Sequence, residues 1–182
     1  MRLPIQSYER IKRVVVNMLV KYSICRLPIS GFEIATKMGV TIIPYTVYQD
    51  YFERLYKFSH DGFSILREGK WYIFYNDTIG YGRINYTIMH EVGHIVLNHE
   101  ESNDITETEA NFFAKYALVP PAILHNLHCE SVDKISFIAD VFDVSYTEAI
   151  YAQDYYEKWL KHGNKGYTDY ESRMLRLFNI AV

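Results

Sequence analysis

The chain is predicted to fold as an α+β domain, with a small β-sheet packed beside a helical bundle. Strand-like runs, rich in β-branched and aromatic residues, come first, between residues 41 and 75. Two of them flank the short turn Glu68-Gly69-Lys70, as in a hairpin. From residue 86 onward the apolar residues recur at helical spacing instead. Strands followed by a run of helices make a sheet with helices to one side, not alternating β-α-β units.

Taken in order, residues 6–24 form a helix with Ile11, Val14, Val15, Met18, Leu19 and Tyr22 on one stripe. Ser30 is an N-cap for a short helix through Met38, which Gly39 stops. Thr41 to Tyr48 reads as a strand, and Pro44 confines it to an edge or a bulge. Phe63 to Leu66 and Trp71 to Tyr75 are the arms of the hairpin, and Asn76 to Gly82 is a loop. Two helices follow, the second closed by Pro120-Pro121, where Pro121 suits the first turn of the next. Ser131 to Phe142 and Tyr146 to Leu160 read as two more helices. Gly163 and Gly166 punctuate a tail in which Tyr170 to Phe178 is helical.

At 182 residues the chain is expected to be a single domain, long enough to bury a core without disulfides. Its 49% hydrophobic and 23% charged residues are those of an ordinary globular protein. A net charge of −3 provides no general basic field for nucleic acid or a membrane surface. Cys25 and Cys129 show no pairing pattern, which indicates a reducing compartment. The apolar run Val14 to Val20 is short, broken by Asn17 and without a cleavage site, so a cytoplasmic location is expected.

The chemistry concentrates at His90-Glu91-Val92-Gly93-His94. Histidines four apart on a helix stand one turn above each other, so both imidazoles can reach one metal ion. Ile88, Met89, Val92, Ile95 and Val96 form the apolar stripe, leaving His90 and His94 on the far side. Glu91 lies between them, placed to take a proton from an attacking water. A catalytic zinc needs a third protein ligand. Glu107 on the next helix shares a face with Ala110, Asn111, Ala114 and Leu118, whose small residues permit close approach. Glu107 is therefore the favoured third ligand. Glu109 projects from the opposite side and is the second choice, better explained as charge at a helix N-terminus. Asn111 is positioned to support a ligand histidine from behind. His99 falls off the ligand face and is expected to pack or hydrogen-bond at the helix end.

The stretch Tyr86 to His99, then Glu107-Thr108-Glu109-Ala110-Asn111-Phe112-Phe113-Ala114 and Leu118-Val119-Pro120, resembles the ImmA/IrrE metallopeptidases. Leu27-Pro28-Ile29, Ile34-Ala35 and Gly39-Val40 extend the likeness upstream. Gly62-Phe63-Ser64 and Ile73-Phe74-Tyr75-Asn76 look like the family's strands. Ile138-Ala139, Phe142 to Ser145 and Ala149 look like its closing helices. About residues 8–160 are covered, leaving 161–182 as a C-terminal tail. The resemblance implies a zincin-like core and a zinc metalloendopeptidase with one Zn2+ per chain. It implies His90, His94 and Glu107 as ligands and Glu91 as general base. It also implies a helix-turn-helix repressor of a mobile element, prophage or stress response as substrate. Asn98 stands where a glycine is more usual, and Val119 where methionine is common.

Two other function classes compete. Ile135 to Ala152 has a helix-turn-helix look, which would suit DNA binding. Between Val132 and Asp154, however, Asp133, Asp140, Asp143, Glu148 and Asp154 outnumber Lys134, so phosphate would be repelled. The other class is a metal-containing anti-repressor or antitoxin that sequesters a regulator without cutting it. For the oxyanion of a hydrolysis reaction, the many tyrosines together with His125 and His128 are the available donors.

Overall fold

A computed structural model describes residues 2–127, 133–162 and 166–181. The sequence positions His128, Cys129, Ser131 and Gly163 lie outside the described residues. Helix α1 (Ile5–Lys21) buries Ile11, Val15, Met18 and Leu19 of the expected stripe and Val16 besides, while Val14 and Tyr22 are half-buried. It stops sooner than residue 24 because Ser23 turns left-handed, with φ 52°. Helix α2 (Gly31–Lys37) is capped by Ser30, whose hydroxyl accepts from the Glu33 amide at 3.3 Å.

Strand β1 (Thr41–Pro44) ends four residues short of the expected Tyr48. Pro44 has no amide hydrogen to continue a ladder, and beyond it the polar groups find other partners. Tyr45 is fully buried and donates its hydroxyl hydrogen to the Ser59 carbonyl at 3.1 Å. The Thr46 amide donates to Asp77 Oδ1 at 3.1 Å. The chain instead winds through a 3-10 turn (Tyr45–Tyr51) into helix α3 (Phe52–Phe58), which the sequence reading did not foresee.

The hairpin is where the sequence puts it. Strands β2 (Gly62–Arg67) and β3 (Lys70–Tyr75) pair antiparallel, with Ser64 opposite Ile73. Glu68 and Gly69 both take positive φ, the turn that matches the twist of a two-residue hairpin loop. Strand β1 adds to β3 in parallel, giving the order β1-β3-β2. Among the described residues, one edge of β2 has no strand beside it.

Helix α4 (Tyr81–Leu97) packs under β2 and β3, with α2 on another flank. Helix α5 (Asp104–Leu118) lies against α4, and α1 backs α5. Ala110, Ala114 and Ala117 are fully buried on α5, as the small-residue face requires. Gly93 completes the close approach: a Cβ there would stand 3.0 Å from the Phe113 ring. Helix α6 (Pro121–Asn126) starts at Pro121. Helix α7 (Lys134–Phe142) is capped by Asp133 and joined to α8 (Tyr146–His162) through Asp143, whose φ is 50°. That turn presses on α4, since a Cβ on Gly82 would come within 2.6 Å of the Ser145 nitrogen. Helix α9 (Asp169–Leu177) closes the chain against α1. The result is an α+β fold of the zincin-like kind, a small sheet on one side and helices on the other. Among the described residues, no helix is long and apolar enough to cross a membrane.

Candidate active site

The helix pair α4–α5 sets the site. Its apolar seam is dry: Ile88, Met89, Val92 and Phe113 are fully buried. That fixes the rotation of α4 and turns His90 and His94 toward an open groove of about 960 Å³. Their Nε2 atoms stand 3.0 Å apart. From α5, Glu107 turns one oxygen to each ring, with Oε2 3.3 Å from His90 Nε2 and Oε1 3.4 Å from His94 Nε2. Donors bound tetrahedrally at about 2.0–2.2 Å stand roughly 3.3–3.6 Å apart. The two carboxylate–imidazole separations fall in this range and the two imidazole nitrogens stand slightly closer, so a small spreading of the rings would admit a small divalent cation.

Charge at the site favours metal binding. Burial pushes His94 down to about 4, helped by neighbouring His90 and opposed by Glu107. Burial lowers His90 as well, again against the pull of Glu107. Both rings are therefore neutral near pH 7, as ligands must be. Burial alone would raise Glu107, but the Ser102 hydrogen bond at 2.7 Å and the two imidazoles outweigh it and hold the carboxyl low.

Glu91 is the contrasting acid. Its residue is 8% exposed, and burial pushes its carboxyl up to about 7, with Glu107 adding to the rise. Ser64 on β2 opposes that by donating its hydroxyl hydrogen to Glu91 Oε2 at 2.7 Å. A carboxyl poised near neutrality can both accept a proton and return it.

A model of the IrrE N-terminal-like domain, a peptidase family, matches residues 35–152, about two thirds of the chain. The chain belongs to this family. No curated protein matches it significantly. The part that matches the IrrE N-terminal-like family runs from Ala35 in α2 to Ala152 in α8. It thus takes in the sheet and both helices of the donor cluster, whereas α1 precedes it.

The structure brings His90, Glu91, His94 and Glu107 to the lining of one groove. Glu109 does turn away from His90 and His94, but it is not a helix-end charge in water. Its side chain is 10% exposed and is held by Arg10 from α1 and His99 from the segment after α4. Asn111 stands beside His90 as expected, and its side chain favours the protonated ring. Its carbonyl oxygen also accepts from the Tyr86 hydroxyl at 2.6 Å, and no contact of full hydrogen-bond geometry reaches the buried His90 Nδ1. His125 is drawn away from the groove, its Nδ1 2.9 Å from the Tyr156 hydroxyl on α8. Among the described residues, Tyr86 is the tyrosine that lines the groove. Ser64 and Ser102 were not singled out from the sequence, because a serine in a strand or loop carries no signal of the carboxylate it will meet.

Proposed function

We propose that this chain is a zinc-dependent peptidase in which His90, His94 and Glu107 hold the metal and Glu91 is the general base. The observation that carries the reading is the donor triangle with a near-neutral, buried carboxyl beside it in an open groove. Zinc in such a site polarises a carbonyl and lowers the pKa of a water toward ~7. Glu91 takes a proton from the attacking water and passes it to the leaving amine. Ser64 holds the Glu91 carboxylate in line for both transfers.

The groove suits an extended chain. Gly62 to Leu66 of β2 line it, and the outer edge of β2 offers backbone donors and acceptors to a peptide added as a further strand. Phe58, Leu66 and Trp71 give that peptide an apolar wall. On the resemblance to ImmA/IrrE proteins, the proposed substrate is a helix-turn-helix repressor cut at one site, and the proposed setting is the cytoplasm. The proposal includes no direct contact with nucleic acid.

The test is a cleavage assay with the helix-turn-helix regulator encoded nearest to this gene. A discrete fragment is expected with the unaltered protein and zinc, and none with Glu91→Gln. A regulator that stays whole yet co-purifies equally with both forms would replace hydrolysis by sequestration.

A further inference from the structure

The end of the metal helix builds a second layer behind one ligand. Helix α4 ends on Asn98, whose backbone is left-handed at φ 57°, ψ 49°. The following residue folds back, and the His99 amide donates to the His94 carbonyl at 3.0 Å, closing the helix in the manner of a Schellman turn. The fold-back lays the His99 ring against His94, with the two Nδ1 atoms 3.0 Å apart. On its other side, His99 Nε2 lies 3.1 Å from Glu109 Oε2. Arg10 Nη2 then reaches both oxygens of Glu109, at 2.6 and 2.7 Å.

With His94 and His99 both neutral, the hydrogens in this row have one consistent arrangement. Arginine only donates, so Glu109 accepts from it, and the ionised carboxylate also accepts from His99. His99 therefore carries its hydrogen on Nε2, and its bare Nδ1 is an acceptor. His94 must then donate from Nδ1, which leaves its Nε2 lone pair free toward Glu107 and His90. His90 has a looser support, since Asn111 lies beside it but no contact of full hydrogen-bond geometry reaches its buried Nδ1.

We propose that His99, backed by Glu109 and Arg10, is a positioning residue that fixes the ring angle and tautomer of His94 for metal binding. The inference rests on the metal-site reading above. His99 touches neither the groove's metal position nor a substrate bond in this role; it acts through His94. Its side chain is 6% exposed, so water does not compete for the contact. Partners of this kind behind a metal ligand typically change affinity by about 10–100-fold.

The test is chelator competition for zinc and cobalt, with thermal unfolding of the same variants without metal. His99→Phe keeps the ring volume and removes the acceptor, whereas His99→Gln restores an acceptor oxygen. The expected result is about 10–100-fold weaker metal binding for His99→Phe, with most of the loss recovered in His99→Gln. The absorption bands of the cobalt form should shift in the first variant and return in the second. Glu109→Gln, which keeps shape and swaps the acceptor, should give a smaller loss in the same direction and decides the matter if His99→Phe does not fold. Unchanged affinity in both His99→Phe and Glu109→Gln would overturn the proposal. So would equal losses for Phe and Gln that track the loss of thermal stability. If the unaltered protein and Glu107→Ala bind metal equally, the metal-site reading itself has failed, and not the positioning role alone.

Discussion

Two faces of helix α5 carry acids two residues apart, and they do different things. Glu107 faces the groove with its side chain 41% exposed, while Glu109 faces the interior at 10%. Both carboxyls are lowered against burial, which alone would raise them, but by different partners. Ser102 and the two imidazoles hold Glu107 down; Arg10 and His99 do so for Glu109. Helical geometry sets this split, since a step of two residues turns about 200° around the axis. The difference teaches that the residue type names a donor, and the neighbours on each face decide whether it is offered to a metal or spent on holding the frame.

The largest break in that comparison comes from Glu107→Ala. Zinc content, measured by elemental analysis after dialysis, should fall from about one per chain to near zero, because two imidazoles alone make a weak site. Glu91→Gln should leave zinc content intact while slowing cleavage by about 10²–10⁴-fold in a fixed-time gel assay. A Gln variant that lost its metal would move Glu91 into the ligand set. On the packed face, Arg10→Ala should destabilise the protein by about 1–2 kcal/mol in urea unfolding. That figure allows for the arginine side chain being 49% exposed and for Glu109 losing its charge partner. Ser102→Ala is the finest probe. It removes one hydrogen bond to Glu107 and should weaken zinc by only a few fold in chelator competition.

How much of this was legible in the sequence depends on the distance over which each contact acts. His90 and His94 could be read because one helix turn fixes their relation, and Glu107 because the alanine face of α5 shows which side packs. The hairpin was legible from its turn, and the cap of α2 from Ser30. Strand β1 was overrun because Thr46 and Tyr48 look β-prone locally, whereas Tyr45 is taken by Ser59 and Thr46 by Asp77. Arg10 and Glu109 are 99 residues apart, and no local pattern joins them. Asn111 was legible in part: its place beside His90 follows from the helix face, whereas the Tyr86 hydroxyl that shares its oxygen is 25 residues away and has no local signal. The helix-turn-helix look of α7 and α8 is likewise local, and only the packed chain shows their turn seated on Gly82 of α4.

The most direct measurement is an anomalous difference map from a zinc-loaded crystal, collected on both sides of the zinc edge. One peak bounded by His90 Nε2, His94 Nε2 and Glu107, with Glu91 beside it and His99 still against His94, is the predicted result. A peak held by Glu109 and His99, or none at the histidine pair, would contradict the account.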